Sequence, residues 1–155
     1  MRKKILSLFI FLPFIAFSQN QTVGLFQYDI GSFDGYTIFS PNEDTYLIDN
    51  CGKLVHSWQS TYKPGLSVYL LEDGSLLRAC RIQNTVFSGG GSGGRVEKRD
   101  WNNTLLWSYN FSDNNYHQHH DIAPMPNGNF LVLCWEYKSL IDAVISGRDP
   151  SALVD

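Results

Sequence analysis

Four hairpin signals follow one another along this chain, and their spacing constrains the fold more than any other feature. The first reads Thr45 to Ile48, a turn at Asp49-Asn50-Cys51-Gly52, and a return over Leu54 to Trp58. The second reads Leu66 to Leu71, a turn at Glu72-Asp73-Gly74, and a return over Ser75 to Arg81. The third reads Gly94 to Arg99, a turn at Asp100-Trp101-Asn102-Asn103, and a return over Leu105 to Tyr109. The fourth reads Asp121 to Met125, a turn at Pro126-Asn127-Gly128, and a return over Phe130 to Glu136. Asp-Gly and Asn-Gly between alternating apolar runs predict tight hairpins, with positive φ at both central positions. Phe33 to Pro41 adds a further strand ahead of them.

The hairpins repeat in pairs. Asp49 to Trp58 aligns with Asp100 to Tyr109 at an offset of 51, and Gly65 to Cys80 aligns with His119 to Cys134 at an offset of 54. One unit is therefore two hairpins, or four strands, in about fifty residues. Antiparallel four-stranded units at this period predict an all-β fold, a β-propeller of which the first two to three blades are present. A sandwich of irregular hairpins is the competing architecture.

Ahead of the hairpins stands a different kind of segment. Arg2, Lys3 and Lys4 precede an apolar run from Ile5 to Phe17, and Ala16-Phe17-Ser18 places small residues just before Gln19. This pattern predicts a signal peptide over 1–18. The run is thirteen residues long, shorter than the ~20 needed to cross a bilayer; the alternative is an uncleaved anchor. The mature chain is expected to start near Gln19, with no membrane span after signal removal, and to be secreted or periplasmic. Residues 19–33 then form an N-terminal segment, and 34–155 the propeller portion. Removing 1–18 leaves 9 of the 12 basic residues against all 15 acidic ones, a formal charge of −6. That balance argues against a nucleic-acid partner.

Cysteines number three, Cys51, Cys80 and Cys134, so at least one thiol is free. Cys80 and Cys134 each stand six residues after a turn glycine. As equivalent positions in neighbouring units they are expected to stand too far apart to bridge. Beyond the last hairpin the period changes. Leu140, Ile141, Val144 and Ile145 share one helical face, Ser139 with Asp142 resembles a capping box, and Gly147 fits a C-cap. A short helix inserted over a channel mouth is expected there. With fewer than three blades, the chain reads as the N-terminal piece of a longer protein.

Chemistry concentrates in His117-Gln118-His119-His120-Asp121, which holds three of the four histidines. Imidazole is a base, a nucleophile and a metal ligand. A hydrated loop at a strand mouth has a similar composition, so the repeat supplies the deciding comparison. Gly65, Leu66 and Ser67 occupy the places of His119, His120 and Asp121, while Val68 matches Ile122, Asp73-Gly74 matches Asn127-Gly128 and Leu77 matches Leu131. The frame repeats and the histidines do not, so they point to a site. The loop Ser88-Gly89-Gly90-Gly91-Ser92-Gly93-Gly94 formally matches G-x-G-x-x-G. It lacks the following helix that dinucleotide binding requires, so it reads as a flexible connection, or as bare amides lining an oxyanion site.

These features together resemble the bacterial arylsulfate sulfotransferase family. The resemblance rests on Asp49 to Trp58, Gly65-Leu66-Ser67, the Gly-rich loop, and above all HQHHD-IAPMPNGNFLVL followed by Trp135-Glu136. It spans about residues 34–150, the first third or so of such an enzyme. It implies an exported propeller that moves a sulfuryl group from an aryl sulfate to a phenol through a sulfohistidine, with no cofactor and no nucleotide donor. His120 maps onto the first channel histidine, with His119 as the other register. Asp121 would orient an imidazole or cap the hairpin, and His117 would contact substrate. The attacking histidine and a sulfuryl-binding arginine are expected beyond Asp155, leaving this piece alone inactive.

Two readings from other classes stand beside it. A non-catalytic propeller would bind a partner or glycan. A metal site would use His117 and His119, which share a strand face while His120 points away. No acid or cysteine at suitable spacing completes such a shell, so no metal is expected.

Overall fold

The computed structural model describes residue 25 and residues 27–153. The expected signal peptide lies outside the described residues. Among the described residues the fold is all-β, with one short α-helix. Three antiparallel sheets follow in chain order. The first joins β1 (Tyr36–Phe39), β2 (Asp44–Asp49) and β3 (Leu54–Gln59). The second joins β4 (Pro64–Leu70), β5 (Leu76–Arg81), β6 (Gly94–Arg99) and β7 (Leu105–Asn110). The third joins β8 (Tyr116–Pro124) and β9 (Phe130–Glu136).

All four expected hairpins form, and the repeat extends to individual hydrogen bonds. In the β4–β5 turn, Leu71 N donates to Ser75 O and Gly74 N to Leu71 O; 54 residues on, Met125 N donates to Asn129 O and Gly128 N to Met125 O. The β2–β3 and β6–β7 turns match in the same way. Asp49 Oδ1 accepts from Lys53 N, and Asp100 Oδ1 accepts from Thr104 N. The turn chemistry differs in one respect from the sequence expectation. Only one residue per turn takes positive φ: Gly74 at 78°, Gly128 at 83°, Gly52 at 75° and Asn103 at 67°. These are type I turns closed by a left-handed residue, a geometry that lets Asp73 and Asn127 stay right-handed and accept from the amides of Ser75 and Asn129.

The sheets stack face to face, and period-2 alternation explains how. On the second sheet, Leu76 and Val68 face the first sheet and join Leu47, Trp58 and Ile38. Their neighbours Leu77 and Tyr69 face the third sheet and join Ala79, Val96, Ile122 and Val132. Leu76, Leu77, Arg78, Ala79 and Cys80 are consequently all buried, as a strand covered on both faces must be. Trp58 Nε1 donates to Asp100 O, and the buried Glu97 binds Arg95, Arg99 and Ser60. Polar groups enclosed between sheets are thus mostly paired.

The helix α1 (Leu140–Ile145) forms where its period places it. Ser139 caps it by accepting from Asp142 N, and Gly147 follows at φ 92°. Its side chains Leu140, Ile141, Val144 and Ile145 are exposed. A single 3-10 turn covers Pro150–Ala152. All three cysteines are free, with Cys80 buried and Cys51 exposed. No helix among the described residues is long and apolar enough to cross a membrane.

Candidate functional site: a histidine pair on a bulged strand

The histidine cluster lies on the first half of β8, where the ladder to β9 breaks. Gln118 pairs with Cys134 and Ile122 with Val132, with a register shift between them. His120 takes φ 54° inside that bulge. Its backbone amide is turned away from β9 and donates to Gly91 O at 2.8 Å.

The bulge overturns one expectation. Regular alternation would send His119 and His120 to opposite faces. Instead their Nδ1 atoms stand 2.8 Å apart, with the rings edge-on at 83°. A bulge inserts a residue and re-aims the side chains beside it. Within this contact one nitrogen must carry the proton and the other accept it. Neither Nε2 atom has a hydrogen-bond partner among the described residues. The His119 ring stacks on Trp135 at 4.3 Å and 7°, which fixes its plane. Burial, and then the neighbouring His120, hold His119 below the ordinary imidazole range, so neutral His119 is the form present at neutral pH.

His117 stands apart from this pair. It is fully buried, with Nδ1 on Ser112 Oγ at 2.7 Å and Nε2 on Ser92 Oγ at 2.9 Å. Both nitrogens are occupied by the protein, which leaves no lone pair for substrate or metal. Burial and the neighbouring His119 depress its pKa. The metal reading placed His117 with His119 and sent His120 away. The structure pairs His119 with His120 instead, because the bulge interrupts the alternation that reading assumed. Among the described residues no group of three or more His, Cys, Asp or Glu side chains gathers in a metal-binding arrangement.

Asp121 touches neither imidazole. Its Oδ1 accepts from Tyr69 Oη at 3.0 Å and from Ile122 N at 2.8 Å. It therefore ties β8 to β4 across the gap between sheets. Burial, and then this bond, push the Tyr69 phenol upward.

The Gly-rich loop is not a free connection. It wraps the cluster so closely that a side chain is excluded at three of its glycines. A Cβ on Gly91 would collide with the His120 ring, one on Gly93 with Gln118 Oε1, and one on Gly94 with the His117 ring. Gly94 N donates to Gln118 Oε1 at 2.8 Å, and Gly93 N to Gln118 O. The run of glycines is thus what brings backbone against His117, Gln118 and His120 of β8. Sequence reasoning missed Ser92, Ser112 and Gln118 as the partners of this cluster. Only the register of the loop on β8 reveals them.

No family model, no curated protein and no solved structure matches this chain.

Proposed function

We propose that this chain forms the first sheets of an exported aryl sulfotransferase built as a β-propeller. The transfer runs from an aryl sulfate to a phenol through a sulfohistidine. The observation that carries the reading is the His119–His120 contact. It sets two imidazoles side by side on a bulge, neither Nε2 having a hydrogen-bond partner among the described residues. An imidazole N–H donates to a sulfuryl oxygen, and a neutral imidazole takes the proton of an incoming phenol. The attacking histidine comes from a later sheet. There the S–O bond to the donor aryl oxygen breaks as an S–N bond forms, and the phenol oxygen then displaces that nitrogen. His119 and His120 hold the sulfuryl oxygens or take the phenolic proton. His117 and Asp121 hold the loop and the neighbouring strand in place.

Sheet stacking supports the propeller. Leu131 and Leu133 stand 54 residues after Leu77 and Ala79. Leu77 and Ala79 are buried under the third sheet, whereas Leu131 and Leu133 are 62% and 51% exposed. A further sheet of the same kind fits over them.

The test is sulfuryl transfer by the full-length protein, followed as 4-nitrophenol released from 4-nitrophenyl sulfate. Release should depend on added phenol and yield the phenyl sulfate. Absence of phenol-dependent release under saturating donor would refute the reading.

A further inference from the structure

A cleft adjoins the histidine cluster at the Gly-rich loop, where Ser92 reaches both. It encloses about 530 Å³ between the start of β4, the end of β5 and the loop. Lys63 and Arg81 line it together with Ile82, Phe87, Ser88 and Ser92, and no acidic residue lines it. Arg95, Lys98, Arg99 and Lys138 form ion pairs with Glu97, Asp73 or Glu136, whereas Lys63 and Arg81 form none among the described residues. Two cations that form no ion pair among the described residues thus line one concave surface.

The repeat locates the cleft further. Lys63 and Arg81 face each other across the β4–β5 ladder, where Arg81 N donates to Lys63 O at 2.8 Å. Fifty-four residues on, the same ladder positions hold His117 and Trp135, which pair across β8–β9. The positions that carry His117 and Trp135 in the third sheet thus carry two cations in the second. Ser92 belongs to both places, since it lines the cleft and binds His117 Nε2.

We propose that this cleft binds a small organic oxyanion, with Lys63 and Arg81 on its charged head and Ile82 and Phe87 against its apolar body. Arginine and lysine bind oxyanions through charge-assisted hydrogen bonds. Serine hydroxyls add neutral donors, and the volume falls in the range of small-molecule sites. The inference does not rest on sulfuryl transfer.

Benzenesulfonate is a suitable probe, because it offers head and ring and has no sulfate ester to transfer. Titrated into the full chain at low salt, it should shift the amide resonances of Ser88 and Ser92 and bind more tightly than inorganic sulfate. Arg81→Gln should weaken binding at least ~10-fold, and Arg81→Lys should recover part of the loss. Lys53→Gln removes an equal charge outside the cleft and should change nothing. Both arginine substitutions are at an exposed side chain, and an unchanged melting temperature confirms that the fold is kept. The proposal is overturned if benzenesulfonate does not bind. It is equally overturned if Arg81→Gln leaves affinity intact, if Lys53→Gln weakens it as much, or if the shifts centre on His119 and His120 instead.

Discussion

Leu66 and His120 both take positive φ at the same place in successive sheets. Their φ angles are 86° and 54°, and each sits in a register shift, between Pro64 and Val68 on β4 and between Gln118 and Ile122 on β8. The bulge is therefore a property of the repeat, whereas the imidazole is a property of one copy. A leucine is poorly suited to left-handed backbone, and histidine tolerates it better.

Relieving that strain at Leu66 should stabilise the protein. Leu66 is 62% exposed, so its side chain contributes little burial. The left-handed conformation costs an ordinary residue roughly 1–2 kcal/mol, and glycine returns part of that as chain entropy. Leu66→Gly is expected to raise stability by about 0.5–1 kcal/mol, read by denaturant titration. A loss of stability would show that Leu66 makes a contact outweighing its strain.

His120→Ala in the full-length protein should lower sulfuryl transfer by ~10²-fold, the usual cost of one positioned donor. His120→Asn suits the left-handed position and serves as the fold-preserving companion. His56 offers the contrast. Its ring stacks on Trp101 at 4.0 Å and its Nε2 lies 2.7 Å from Trp101 O, far along the chain from the bulge. His56→Ala should cost stability and leave turnover per folded molecule near normal. Full activity in both His119→Ala and His120→Ala would make the pair structural.

Gly91→Ala should damage the pair without touching a histidine. Gly91 takes φ 76°, its carbonyl accepts from His120 N, and a Cβ there would strike the His120 ring. Forcing the ring or the loop aside is expected to cost about 1–3 kcal/mol. The His119 and His120 ring resonances should move with it. Unchanged ring resonances would mean that the loop does not seat on the pair.

Acid should weaken the fold through His117 and His119. Both imidazoles lie below their ordinary pKa in the folded protein, mainly because burial disfavours the charged form. The unfolded chain therefore binds more protons than the folded one over the window from their folded values up to ~6.5. Stability is full above that window and falls as pH drops through it. Denaturant midpoints measured between about pH 7.5 and 5 should decline, and His119→Gln should flatten part of the slope. A midpoint that rises on acidification would contradict the sign.

Local chemistry made much of this protein legible in its sequence. Alternating apolar residues and Asp-Gly, Asn-Gly and Asp-Asn turns specify hairpins from contacts a few residues apart. The offset between Gly74 and Gly128 therefore announced the repeat, and Ser139 with Gly147 announced the helix. The tertiary structure alone decided how the histidines are used. Nothing in Gly65-Leu66-Ser67 signals a bulge, because left-handed backbone at a leucine is imposed by the ladder on either side. The equivalent distortion at His120 on β8 brings His119 onto His120. The burial of His117 between Ser92 and Ser112, and the seating of Gly91, Gly93 and Gly94 on β8, join residues from three segments of the chain. Such contacts arise only when separate hairpins pack, so no local pattern encodes them.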